Sequence, residues 1–174
     1  MSHLPAIDTN DHVQGPRDAA VVLVEYGDFE CPYCGEAYPE LKAVQAALGD
    51  ALCFVFRHFP LSTMHPHAAR AAEFAEAAAT VGRFWEMHDW LYENQSTLDD
   101  RHLVAQAERL GLSRPLIDDA LGGEFSARVH RDFVGGTRAG VNGTPCLFIN
   151  GQRHEGDWDA PSLIAALQAL LRRR

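Results

Sequence analysis

Cys31-Pro32-Tyr33-Cys34, a pair of cysteines two residues apart, carries the clearest chemistry in this 174-residue chain. An apolar, β-branched run from Val21 to Tyr26 precedes the pair and predicts a strand. After it, from Glu36 to Leu48, apolar residues recur at helical intervals until Gly49 marks a stop. Cys31 therefore falls at a strand-to-helix junction, near the first turn. Unpaired backbone N–H groups there favour negative charge. Such a position lowers a thiol pKa and populates the thiolate, the reactive form of cysteine. A dithiol with this spacing at such a junction is the redox-active arrangement. Pro32 suits an early helix position, where its missing N–H costs nothing. Tyr33 sits between the sulfurs and is expected to influence their relative stability.

The other cysteines are Cys53 and Cys146. A disulfide-stapled secreted scaffold would be smaller and richer in cysteine. Four cysteines in a reducing compartment read as one reactive pair and two ordinary buried thiols. Cys53 lies inside a second apolar run and is expected to be inert. Cys146 reads as a small buried hydrophobe; the competing reading is an alternative disulfide with Cys31. Nine histidines raise the question of a metal. His58, His65 and His67 are close in sequence, but no Cys/His spacing matches a structural zinc pattern. No metal is expected, and His58 and His65 are assigned to a polar loop capping the second strand.

The elements that must position the dithiol follow from hydrophobic patterning. Residues 1–19 are polar and read as an irregular arm, with His12-Val13-Gln14 as a short edge strand. The strand 21–27, a helix over about 33–48 and a strand over 51–59 make a βαβ unit with a right-handed crossover. The near-continuous apolar character of the second strand predicts burial on both faces. The middle of the chain is helical: His67–Val81, Phe84–Tyr92, a helix capped by Asp99-Asp100 running to Leu110, a short one from Ser113, and one over 124–139. Cys146–Ile149 is a strand. Asn150-Gly151 is a hairpin signal, and Gln152–Glu155 the return strand. A last helix opens at Ala160-Pro161, with Leu163, Ile164, Leu167, Leu170 and Leu171 on one face. The order is βαβ, an all-helical block over about 63–139, then ββα. Without the block this is an α/β, thioredoxin-like sheet within a single domain over 1–174.

Composition bounds the function. With 47% apolar and 22% charged residues the chain reads as a globular protein with a substantial core. A formal charge of −9 argues against nucleic acid as the main partner. Arg172-Arg173-Arg174 reads as a solvated helix end. No apolar run reaches membrane-spanning length, and the segment from Met1 to Arg17 has no apolar signal core. A cytoplasmic location without membrane association is the resulting expectation.

Three segments together resemble the DsbA-like thiol:disulfide oxidoreductases of the thioredoxin superfamily: Val24-Glu25-Tyr26-Gly27-Asp28-Phe29-Glu30-Cys31-Pro32-Tyr33-Cys34, Phe56-Arg57-His58-Phe59-Pro60-Leu61, and Gly140-Val141-Asn142-Gly143-Thr144-Pro145. The resemblance runs from about Val21 to Leu171. It implies that Cys31 is the nucleophile, forming a mixed disulfide, and that Cys34 resolves it one turn later. Pro145 is the implied cis-proline facing the dithiol, with the Thr144 backbone beside Cys31 to pair with an extended substrate segment. Glu25 is the implied buried acid, its pKa raised by desolvation, that accepts the Cys34 proton. Protein or peptide thiols and disulfides are the implied partners, with glutathione admitted as a further one, and no cofactor is implied. Pro32, Tyr33 and Thr144 would border the substrate. A Pro-Tyr pair also occurs in glutaredoxin-like sites, which would place the potential on the order of −200 mV. The oligomeric state is not readable. Two other classes compete: a glutathione-dependent transferase or isomerase on the same fold, and a non-catalytic metal-binding or chaperone module.

Overall fold

A computed structural model describes residues 4–173; Met1–His3 and Arg174, including the last residue of the terminal arginine run, lie outside the described residues. Within them one five-stranded sheet is formed by β1 (His12–Gln14), β2 (Val21–Gly27), β3 (Leu52–His58), β4 (Cys146–Ile149) and β5 (Gln152–Arg153), in the order β1-β3-β2-β4-β5. α1 (Pro32–Leu48) links β2 to β3, which run parallel from Val21 opposite Leu52 to Gly27 opposite His58. This is the expected βαβ unit. Five helices separate β3 from β4: α2 (Ala68–Ala79), α3 (Phe84–Glu93), α4 (Asp100–Arg109), α5 (Arg114–Gly122) and α6 (Ser126–Arg138). β4 returns antiparallel to β2, with Tyr26 opposite Cys146, and α7 (Ala160–Leu171) closes the chain.

Local chemistry explains most boundaries. Asp99 caps α4 by accepting from the amides of Arg101 and His102, Ser113 caps α5 through Leu116 N–H, and Asp159 caps α7 through Ser162 N–H. The turn between β4 and β5 holds Asn150 at φ 48 and Gly151 at φ 83, the left-handed pair that a two-residue hairpin demands. Some expectations shift. β3 begins at Leu52, because Gly49–Ala51 form a short 3-10 turn after α1. β5 holds Gln152 and Arg153 alone rather than running to Glu155, since both residues are exposed and bury nothing that would extend it.

Strand side chains alternate between faces, and the sheet is apolar on both. Val21, Leu23, Leu52, Phe54, Phe56, Leu147 and Ile149 join one cluster with α1, α7 and the helical block. Val24, Tyr26, Cys53, Val55, Cys146 and Phe148 join the other, with Phe59, Ala139 and Val141. Glu25 shares the parity of Leu23, so it enters the larger cluster, under α1. The N-terminal arm is fastened on the opposite face. There the buried Arg57 forks onto Asp11, at 2.9 and 2.8 Å, and donates to the carbonyls of Pro5 and Ala6.

Candidate active site

Cys31 is the N-cap of α1, and its extended backbone leaves the sulfur at the helix tip. Pro32 and Tyr33 follow on the exposed first turn, with Tyr33 63% exposed. Cys34 comes round to the inner face and is wholly buried, whereas Cys31 keeps 3% exposure. All four cysteines are free. The burial contrast orders the two sulfurs, because Cys31 alone of the pair has any face to the outside.

The peptide between Thr144 and Pro145 is cis, and the Thr144 carbonyl lies 3.5 Å from Cys31 Sγ. A thiol donates to that carbonyl; a thiolate has no proton to give and must accept instead. The donors are at hand. The Cys34 thiol contributes most, Thr144 and the Cys34 and Tyr33 amides add to it, and together they outweigh burial. Cys31 is held down at about 5. Burial, together with the proton it shares with Cys31, pushes Cys34 well above the usual thiol range. Glu25 is 1% exposed, and burial, reinforced by the neighbouring Cys31 charge, pushes its carboxyl up to about 8. One sulfur is thus ionised and the other protonated, with a proton-holding carboxyl next to the second.

Two residues that the sequence reading did not single out hold this loop in place. Asp28, 1% exposed, accepts from the amides of Glu30 and Cys31 through Oδ1, and from Leu61 N–H and His65 Nδ1 through Oδ2, each at 2.8–3.2 Å. Its signal was present in outline: an Asp two residues before Glu30 is an Asx-turn pattern. Gln95, just after α3, donates through Nε2 to the carbonyls of both Phe29 and Cys31 at 2.9 Å. Gly35 admits it, because a Cβ there would stand 2.1 Å from Gln95 Oε1. The partnership spans more than sixty residues, so no local pattern announces it. Tyr33 and Met64 are large exposed hydrophobics, and Met64 is the neighbour of His65 on the strapped loop.

One earlier assignment changes. His58 is not in a polar loop: it ends β3, buried, with Nε2 2.7 Å from Glu76 Oε1. His12 Nε2 reaches the same oxygen at 2.6 Å, and Arg128 approaches the other at 3.9 Å. Among the described residues this trio brings metal-ligating atoms close together. Both imidazoles instead spend Nε2 on one carboxylate oxygen, tying β1 and β3 to α2. Cys146 packs on the face opposite Cys31, with the sheet between them. Cys53 and Cys146 share that face but do not pair, since β2 separates them, opposite Val22 and Tyr26 respectively.

The family model described as thioredoxin matches residues 8–170. The chain belongs to the thioredoxin family. Its fold is that of the DsbA-like members, as the sequence resemblance implied. A thioredoxin-like oxidoreductase from Silicibacter pomeroyi superposes with a TM-score of 0.82 at 23% identity, covering 96% of this chain and 95% of that one. BdbD from Bacillus subtilis gives 0.83 at 22% identity, covering 98% and 97%. Sequence relatives are longer. A Na(+)/H(+) antiporter NhaA 1 from Salinispora arenicola is 46% identical over 165 residues, which is 94% of this chain and 25% of the relative. A Na(+)/H(+) antiporter NhaA from Herminiimonas arsenicoxydans is 40% identical over 167 residues, 95% and 26%. This thioredoxin-family chain thus spans about a quarter of the length of the curated relatives it matches. No helix of the described residues is long and apolar enough to cross a membrane.

Proposed function

We propose that this thioredoxin-family chain exchanges disulfides with protein or peptide thiols through Cys31 and Cys34. The observation that carries the reading is the opposed state of the two sulfurs: Cys31 ionised at the tip of α1, and Cys34 protonated and buried beside Glu25. The Cys31 thiolate attacks one sulfur of a substrate disulfide. A bond from Cys31 Sγ to that sulfur forms, the substrate's S–S bond breaks, and the departing thiolate takes a proton from water. With the Cys31 charge gone in the mixed disulfide, the Glu25 carboxyl gives up its proton to water more readily, and the resulting carboxylate takes the Cys34 proton. The new Cys34 thiolate attacks Cys31 Sγ and expels the second substrate thiolate. The substrate has gained two electrons, and the enzyme holds them no longer, its own pair now joined. The reverse sequence oxidises a dithiol.

The remaining site residues have parts in this scheme. The Thr144 backbone, beside Cys31 Sγ, pairs with an extended substrate segment, and Pro145 fixes its direction. Pro32 keeps the first turn free of an N–H, and Tyr33, with Met64, offers an apolar rim to unfolded substrate. The sheet and the helical block act as one unit, since one apolar cluster runs through both. In a reducing, cytoplasmic setting the dithiol works as a reductase or isomerase, with glutathione as a second thiol partner. The transport that names the longer relatives is not proposed for this chain, which matches a quarter of their length.

Replacing Cys31 with Ser should abolish insulin reduction, and Cys34→Ser should accumulate mixed disulfides with substrate. Activity retained by Cys31→Ser overturns the assignment. Full turnover of Cys34→Ser with glutathione would turn the reading toward a transferase. Stoichiometric zinc in the purified protein with no insulin reduction would turn it toward a binding module. Equilibration against glutathione should give a potential on the order of −200 mV.

A further inference from the structure

Two buried polar atoms beside the proton path have no hydrogen-bond partner among the described residues: Glu25 Oε1 and the Tyr92 hydroxyl. They converge on one point. Gly27 lacks a side chain, and the position its Cβ would take lies 3.1 Å from Glu25 Oε1 and 2.6 Å from Tyr92 Oη. Any other residue at 27 would set a carbon against both oxygens and 2.5 Å from Phe56 Cε2. Buried polar groups are rarely left unpaired, and orphans concentrate where a group changes state. A protonated carboxyl of Glu25 has little need of a donor at Oε1, but a carboxylate there has one within reach. The terminal torsion of Glu is broad, so the carboxylate can turn toward the hydroxyl across the space that Gly27 leaves.

We propose that Tyr92 is a positioning residue for the buried acid: its hydroxyl donates to the Glu25 carboxylate in the state that takes the proton from Cys34. The inference rests on the exchange reaction proposed above and extends it into the helical block, since Tyr92 belongs to α3. Its ring is fixed from several sides. Phe29 lies at 5.0 Å between centroids, Tyr38 at 5.5 Å and His88 at 5.1 Å. Burial, with the acidic groups nearby, holds the phenol well above its usual range, so it stays a donor throughout. Other titratable groups face this pocket. Asp28 is filled by two amides, Leu61 N–H and His65. His58 spends Nε2 on Glu76 and His88 turns Nδ1 to Asp89, each leaving its other ring nitrogen unpartnered. Cys31 and Cys34 are the reacting pair. A donor to the charged form favours it. Tyr92 thus keeps the base populated at a lower pH than burial alone would allow.

The test is single-turnover resolution. A mixed disulfide is preformed between Cys31 and a chromogenic aromatic thiol, and thiol release is followed against pH. Tyr92→Phe keeps the ring and removes the oxygen. It should slow release about tenfold near neutral pH and raise the midpoint by about one pH unit. The Cys31 alkylation rate should stay unchanged, because that thiolate draws on other donors. In a Glu25→Gln background the same change should do nothing further. An unshifted midpoint in Tyr92→Phe overturns the proposal, as does an equal slowing in the Glu25→Gln background. 3-Fluorotyrosine at position 92, a stronger donor of nearly the same shape, should move the midpoint down, and no movement counts against the proposal even if Tyr92→Phe folds poorly. A failure of the exchange reading itself is separate: the wild-type protein would then release no thiol at any pH.

Discussion

Oxidation joins Cys31 to Cys34 and removes both thiols from the proton balance, leaving Glu25 buried as before. Burial, the larger cause of its raised pKa, persists while the Cys31 charge is gone, so the carboxyl stays above its ordinary 4.5, with the value of about 8 held beside the thiolate as the upper limit. Between those values the folded chain keeps a proton that the unfolded chain has released. Stability from this group is therefore complete below about 4.5 and is lost as pH rises through 8, at up to about 1.4 kcal/mol per pH unit. His88 acts in the opposite sense, since burial pushes it down to about 4 from 6.5 and its contribution is complete above 6.5. Its pH dependence fades above 6.5, and between 6.5 and 8 Glu25 should cost up to about 2 kcal/mol. Glu25→Gln carries no proton in either state. His65, whose pKa is raised because Asp28 and its other acidic neighbours outweigh burial, titrates in both proteins and cancels in the comparison. Urea unfolding of the oxidised proteins across this interval should show wild type losing up to about 2 kcal/mol more than Glu25→Gln. Parallel pH profiles would refute a raised Glu25 pKa.

Removing the Cys34 thiol with Cys34→Ala takes away the main support of the Cys31 thiolate. The midpoint of Cys31 alkylation by iodoacetamide should then rise by about one to two pH units from its starting value; a midpoint still near 5 would assign the effect to the backbone alone. Asp28→Ala strands the amides that converge on it and should cost about 2–4 kcal/mol in urea unfolding, with unchanged stability arguing against its anchoring role. Gly35→Ala drives a methyl into Gln95 and should slow insulin reduction. Adding Gln95→Ala relieves the clash, so the double variant should match Gln95→Ala alone; a further loss in the double variant would place the damage elsewhere.

Much of this was readable along the chain because it depends on local pattern. The apolar run at 21–27 and the helical spacing after Cys34 set the first βαβ unit. The alternation of β2 already assigns Glu25 to the side of Leu23. Cap residues at 99 and 113 and the Ala160-Pro161 pair mark three helix starts. Partnerships across the fold were not readable. Gln95 meets Phe29 and Cys31 only after the helical block folds back onto the loop. His12 and His58 find Glu76 only when β1 pairs with β3. Nothing near Arg57 in sequence reveals that it grips Asp11. The second strand of the hairpin was overextended for a different reason. Alternation and turn chemistry gave no length for a strand that buries neither face.

Gln95, just past the end of an inserted helix, holds the carbonyls of Phe29 and Cys31 at the reactive cysteine's own turn. A redesign that pared the chain down to its bare sheet would carry over both sulfurs and yet free the segment that aims them. Sequence drift in the helices is accordingly felt at the chemistry, and transplanting the four-residue motif alone would not transplant its behaviour.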